Sequence, residues 1–297
     1  MLLLRTPLKL HCHTLMLCLG LLATGAAAAQ TVNWCQFDLP PMYIADGPEA
    51  GQGIVDGHAR FLIRQMPEFE HKWQFSNIAR AQSDIKNGLP LICGGLQRNA
   101  EREGYMLFAE PFYASSPPQL ILPRSRLESI KPWLNPAGEV RLSQAVEGNA
   151  LILGISSGRS YGSAIDTQLQ ALKGHPKIIQ RPAASDIGEG LIRMMQLGRL
   201  DMAIAFTSEQ ILYRQNYPNP DDPLVTLPIE GMPRLIAVYF VAPQTDWGRR
   251  MIARINALQR QYWNDPEFRR TAFLRQDAET RKRTEANLRE LDPNRKR

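Results

Sequence analysis

The sequence predicts an α/β protein made of two units, each a mostly parallel sheet flanked by helices. Three observations lead there. Short apolar runs alternate with helical patterns from Thr31 to the LPLIC run, strand, helix, strand, helix, strand. The same order recurs from the LSQAVEG segment to Phe206. A strong strand pattern, LIAVYFVAP from Leu235, then precedes one long amphipathic helix and returns the chain towards its first unit. Strands joined by helices need crossover connections, which favour parallel pairing with helices on the sheet faces.

The first unit opens with the strand VNWCQF and the loop DLPPMYIADGPEAGQG, whose Pro40-Pro41 and glycines forbid regular structure. Asp56 precedes a helical pattern from His58 to Gln65, FEHKWQF reads as a strand, and Asn77 is placed to cap the helix IARAQSDIKNG. LPLIC is the third strand. After Tyr113, QLILP reads as a strand and SRLESIKPW as helix or loop. In the middle block ALILGI runs into the polar loop SSGRSYG, a helix continues to Leu172, KIIQRPA is a strand, and SDIGEGLIRMMQLGRL is a helix capped near Ser185. DMAIAF is the next strand, and 213–222, rich in Asn, Pro and Asp, reads as a loop. In the last helix Met251, Ile252, Ile255, Leu258, Tyr262 and Trp263 recur at helical spacing and form a core stripe. EFRRTAFLR is a final short helix, and 277–297 reads as a charged, solvated tail.

The start of the chain is a secretory signal. Arg5 and Lys9 supply a basic start, Leu15 to Ala23 is nearly continuous apolar sequence, and Ala27 to Ala29 form a small-residue cleavage site, so 1–29 is expected to be removed. No later run approaches the ~20 apolar residues that span a bilayer. An exported chain without a membrane span is expected in the periplasm.

Of 297 residues, 44% are hydrophobic and 22% charged, which excludes a disordered or fibrous chain. The formal charge of +6 is concentrated at the two ends, in the signal and in the last seventeen residues, and shows no nucleic-acid footprint. Removal of the signal leaves Cys35 and Cys93, each closing an apolar run. In an oxidising compartment they are either a bridge or two small buried hydrophobes. No His or Cys cluster has metal-ligand spacing, and SSGRSYG lacks the lysine of a phosphate-binding loop. No metal or cofactor is expected.

The stretch LPLICGGLQRNAEREGYMLFAEPFY, Leu89 to Tyr113, is the candidate ligand region. A buried strand breaks at Gly94-Gly95 into a turn carrying Arg98, Glu101 and Arg102. Ligands of open α/β sheets sit beyond the carboxyl ends of the strands, where an arginine can fork two hydrogen bonds onto a carboxylate. The alternative is an ordinary surface turn with solvated charges.

Several motifs, in order, resemble the bacterial periplasmic solute-binding proteins of family 3, the polar-amino-acid type associated with ABC transporters. DLPPMY resembles the early Pro-Pro-aromatic motif, GQGIVDGHARFLI the helix start, and SNIARAQSDIKNG the helix that ends in Gly. NAEREGYMLFAEPFY resembles the Thr-x-x-Arg motif followed by Phe and a Pro-aromatic pair. GISSGRSYG resembles the Gly-Ser/Thr loop of the second lobe, and LGRLDMAIA its Gly-Arg-x-Asp-Ala strand. The likeness runs from about Thr31 to about Phe268.

The resemblance implies the two-lobed type II periplasmic-binding fold. Lobe one would comprise 30–115 with 240–276, lobe two 120–234, and the hinge segments 116–122 and 235–241. Arg102 would clamp the carboxylate of a small solute. Gly95, Leu96 and Gln97 would offer strand-end backbone contacts, and Ser156, Ser157 and Gly158 would supply N–H and hydroxyl donors. The implied partners are an inner-membrane ABC permease or a sensor protein, with the chain itself a monomer. The pattern also departs from the family. Phe206 stands where the amine-binding carboxylate would be, Leu39 stands at the stacking aromatic, with Tyr43 nearby to compensate, and Asn99 replaces the threonine. The implied solute is a carboxylate that need not carry an amine. Two other readings stay open. One is a ligand-poor interaction or sensory protein with an apolar cleft lined by Leu39, Met42 and Phe206. The other is a periplasmic dehydratase of the same resemblance, with Glu101 or Glu110 as the acid.

Overall fold

A computed structural model describes residues 30–148, 150–182, 188–263, 265–273, 276 and 278–291. The expected signal peptide, the cap at Ser185 and the last six residues lie outside them. Two sheets organise the chain, and it passes between them twice.

In the first unit β1 (Thr31–Gln36), α1 (Ile54–Arg64), β2 (Glu70–Phe75), α2 (Ile78–Lys86) and β3 (Leu91–Leu96) follow the predicted order. β1 pairs in parallel with both β2 and β3. α1 begins at Ile54 rather than at His58, because Asp56 sits inside its first turn. The Asp56 carboxylate accepts from Gly53 N at 3.0 Å and Ile44 N at 2.9 Å, tying the preceding loop to the helix start. A Cβ at residue 53 would lie 2.5 Å from Met42 O, so only glycine lets the loop pass. Asn77 caps α2 by accepting from Arg80 N at 2.9 Å. α3 (Ala100–Glu103), β4 (Met106–Phe108) and β5 (Tyr113–Ser115) complete this stretch. The two strands, of three residues each, are too short to show a period of two.

The second unit contains β6 (Gln119–Pro123), α4 (Leu127–Ile130), α5 (Leu142–Gly148), β7 (Leu153–Ser156), α6 (Ser163–Ala171), β8 (Ile178–Arg181), α7 (Glu189–Gln196), β9 (Met202–Ala205), α8 (Thr207–Asn216) and β10 (Leu224–Pro228). Its sheet runs β10-β6-β9-β7-β8. β7 is parallel to β8 and β9, while β6 is antiparallel to β9 and β10. α8 takes the first residues of the expected 213–222 loop, since Tyr213 to Asn216 are helical. Tyr213 is 3% exposed and packs in the core beneath this sheet, so burial overrides the polar composition that follows it.

β11 (Ile236–Pro243) then re-enters the first sheet, antiparallel to β3, β4 and β5, giving the order β2-β1-β3-β11-β4 with β5 also on β11. Of the expected hinge segments, 119–122 lie in β6 and 236–241 in β11; the chain passes between sheets within 116–118 and 229–235. α9 (Asp246–Tyr262) is capped by Thr245, which accepts from Gly248 N at 3.1 Å, and buries the predicted Met251, Ile252, Ile255, Leu258 and Tyr262. α10 (Pro266–Ala272) follows. The expected solvated tail instead forms α11 (Ala278–Leu291), which buries Thr284, Asn287 and Leu288 and rests on β5. Leu288 belongs to the same core as Trp34 and Phe240. Cys35 and Cys93 stand side by side on β1 and β3 and form a disulfide. No helix among the described residues is long and apolar enough to cross a membrane.

Candidate functional site

The C-terminal ends of β3 and β7 face one another across the gap between the sheets, and the loops leaving them meet there. Near the end of β3, Gly95 adopts φ +78°, a left-handed conformation at the bulge opposite Tyr239 and Phe240, and the chain leaves the strand at Gln97. Asn99 caps the short α3 by accepting from Arg102 N at 2.9 Å, which aims Arg102 inward. Arg102 is 3% exposed.

The partners of Arg102 are neutral oxygens. Nη1 donates to Gln97 O at 2.7 Å, Nη2 donates to Gly158 O at 3.2 Å, and the Tyr105 hydroxyl is a further partner. Among the described residues no carboxylate forms an ion pair with it. Burial pulls the guanidinium pKa below its ordinary value, and Tyr105, Asp166 and Glu101 oppose that shift. A charged group held by neutral oxygens is incompletely compensated.

The loop beyond β7 supplies the other wall. Gly158, at φ +73°, turns its carbonyl towards the first unit, where Gln82 Nε2 also donates to it at 2.6 Å. Asn99 Nδ2 adds donors to Asp166 Oδ2 at 3.3 Å and Ser160 Oγ at 3.5 Å. Asp166 in turn accepts from Tyr161 N at 2.8 Å and from the Ser160 hydroxyl. The two units are therefore joined face to face by their own side chains. Ser156 is 7% exposed and its N–H donates to the Tyr161 hydroxyl, while Ser157 N donates to Arg181 O. The backbone N–H groups of Ser156 and Ser157 are thus spent within the second unit.

Beneath this loop lies a buried ion pair. Arg159 Nη2 is 2.5 Å from Glu209 Oε1, with side chains 6% and 2% exposed. The guanidinium carbon lies 4.9 Å from the Phe206 ring centre and 5.4 Å from that of Tyr161, so two aromatic faces flank the cation. The other Glu209 oxygen accepts from Phe206 N at 3.1 Å and caps α8. Burial disfavours the Arg159 charge, but Glu209, by field and hydrogen bond, together with Tyr161 and Tyr213, outweighs it and raises the pKa. Arg159 Nη1 has no hydrogen-bond partner.

Of the expected site residues, Gln97, Arg102 and Gly158 meet directly, with Gly95 and Leu96 in the same turn and Ser156 and Ser157 in the facing loop. Tyr43 and Phe206 do not join them as ligand platforms. Tyr43 is 1% exposed, its hydroxyl bridging Gly94 N and Gly94 O at 3.0 Å each, and burial lifts its pKa out of reach. Phe206 is 9% exposed and stacks on Tyr161 with Arg159 above it. Leu39 is likewise in the core. Glu101 is exposed, and Glu110 pairs with Arg260 at 2.8 Å on α9. Among the described residues no group of three His, Cys, Asp or Glu is placed to hold a metal ion. Sequence reasoning missed Gln82, Arg159, Asp166 and Glu209. Only Glu209 left a signal, the capping spacing of three residues after Phe206.

No protein-family model matches the sequence, and no curated protein matches it. Solved structures do. A substrate-binding protein of an amino-acid ABC transporter superposes with a TM-score of 0.59 at 12% identity, covering 82% of this chain and 97% of that one. A histidine kinase sensor domain with similarity to periplasmic binding proteins gives 0.60 at 14%, covering 81% and 92%. The P235GK mutant of the arginine-binding protein from T. maritima gives 0.60 at 12%, covering 83% and 94%. At such identities the likeness speaks for architecture: the chain has the two-lobed α/β fold of the type II periplasmic binding proteins.

Proposed function

We propose that the chain is a periplasmic solute-binding protein that closes its two lobes on a small carboxylate-bearing solute, for delivery to an ABC permease. The observation that carries this reading is Arg102, a buried guanidinium on the cleft wall whose partners are neutral oxygens. A carboxylate entering between Arg102 and the Gly158 loop replaces a carbonyl with an anion and completes the charge. The acids near this wall are already engaged, Glu209 by Arg159 and Asp166 by Asn99, Ser160 and Tyr161, and Phe206 occupies the place expected for an amine-binding carboxylate. A keto, hydroxy or aromatic acid fits this pattern better than an α-amino acid. Catalysis has less support: Glu110 is engaged by Arg260 on α9, and Glu101 is exposed.

A sensory role is the second reading, favoured by the direct contacts between the lobes through Gln82, Asn99 and Arg102. A thermal-shift panel separates the two. The chain from Gln30, unfolded and refolded to strip bound solute, is tested against amino acids, keto and aromatic acids, polyamines and short peptides. A midpoint that rises with the concentration of one carboxylate class supports solute capture by mass action. No shift across the panel supports the sensory reading.

A further inference from the structure

A cavity of about 510 Å³, sharing no lining residue with the contacts around Arg102, opens where the two crossing segments, α8, β10 and α11 come together. Three arginines line it from three separate parts of the chain: Arg214 on α8, Arg234 on the second crossing segment, and Arg283 on α11. The acid among its lining residues is Glu279, which pairs with Arg283 one turn along the same helix at 3.0 Å. Gln210 and Thr226 add an amide and a hydroxyl. The volume is that of a small-molecule site, but a lining this cationic does not select an apolar ligand.

The present partners of the arginines are weak. Arg214 donates to the neutral Thr226 Oγ1 at 3.3 Å and has no ion pair among the described residues. Arg283 and Glu279 form an exposed pair on one helix, of a kind that contributes little and reorients easily. Arg234 pairs with Glu290, also on α11 and largely exposed. Three arginines brought to one cavity from separate parts of the chain match an anion with several oxygens better than they match single carboxylates.

We propose that this cavity is a second ligand site, for a small dianion, either a phosphate or a dicarboxylate. Its position gives the site a consequence. Arg214 belongs to the second lobe, Arg283 to a helix seated in the core of the first, and Arg234 to the link between them. A dianion held by all three ties the lobes together and stabilises one lobe arrangement over others. This inference does not rest on the carboxylate reading of the cleft.

The test is isothermal titration of the chain from Gln30 with inorganic phosphate and, separately, with succinate, at fixed ionic strength. Saturable binding of at least one dianion is expected, weakened about tenfold by Arg214→Gln and by Arg283→Gln, since each removes a charge-assisted contact. Arg102→Ala, in the cleft, is expected to leave that binding within about twofold, as sites that share no partners act nearly independently. The preferred dianion identifies the source chemistry. Arg214 and Arg283 are both exposed, and circular dichroism of each variant without anion checks that it is folded. Heats that never saturate overturn the proposal. So does binding abolished by Arg102→Ala but untouched by Arg214→Gln and Arg283→Gln, which places the anion in the cleft.

Discussion

Arg102 Nη2 and the carbonyl oxygen of Gly158, 3.2 Å apart, are a direct hydrogen bond between the two lobes, made by residues 56 positions apart. The bond spends the guanidinium that the fold places at the cleft wall on the chain's own backbone. A solute must outcompete one carbonyl to reach it, and a carboxylate does so by charge.

Arg102→Ala is therefore expected to abolish carboxylate binding while the protein stays folded. It also removes the bonds to Gln97 O and Gly158 O, so stability falls by about 1–3 kcal/mol. Titration with the best ligand from the thermal-shift panel checks the first effect and urea unfolding the second. Unchanged affinity would refute the clamp.

Glu209→Gln strands Arg159 as a buried charge flanked by Phe206 and Tyr161. The expected loss is about 3–5 kcal/mol. Arg159→Met combined with Glu209→Gln leaves no charge uncompensated and is expected to recover much of that loss. Additive losses in the double-mutant cycle would show that the pair is not coupled.

Burial holds His58 well below its ordinary 6.5, with neither ring nitrogen hydrogen-bonded and the rings of Phe112 and Tyr262 packed against it. The folded chain keeps the imidazole neutral where the unfolded chain takes up a proton. Its contribution is complete above 6.5 and is lost as pH falls through that value towards the folded pKa. Between pH 6.5 and pH 5 the wild type should lose up to about 1.4 kcal/mol per pH unit from this group. His58→Phe should flatten that slope in urea melts, and an identical slope would remove His58 as its source.

Leu288→Ala tests whether α11 is part of the first core. Leu288 is 6% exposed, and the truncation is expected to cost about 2–5 kcal/mol. A change within about 0.5 kcal/mol, typical of a solvated surface site, would return this helix to the status of a tail.

Tyr43→Phe removes the hydroxyl that accepts from Gly94 N and donates to Gly94 O. The buried N–H of Gly94 loses its partner, for an expected cost of about 1–3 kcal/mol. Solute affinity should stay within a few-fold, because Tyr43 braces the β3 end rather than touching the cleft. A large affinity loss without a stability loss would reverse that assignment.

Residue order alone carried the alternation of strand and helix, because buried strands and amphipathic helices write their own periods into short windows. It also carried the polar turn with Arg98, Glu101 and Arg102, but the cap that Asn99 gives this turn appeared only in the structure. Tertiary structure decided everything that depends on a distant partner. Tyr43 and Phe206 turned into the core because Gly94 and the Arg159–Glu209 pair were there to receive them. α11 carries few apolar residues, so only the uncovered edge at β5 shows why Leu288 is buried. The lobe contacts of Arg102, Gln82 and Asn99 with the Gly158 loop and the start of α6 join segments at least 56 residues apart, and local patterns are blind to such separations.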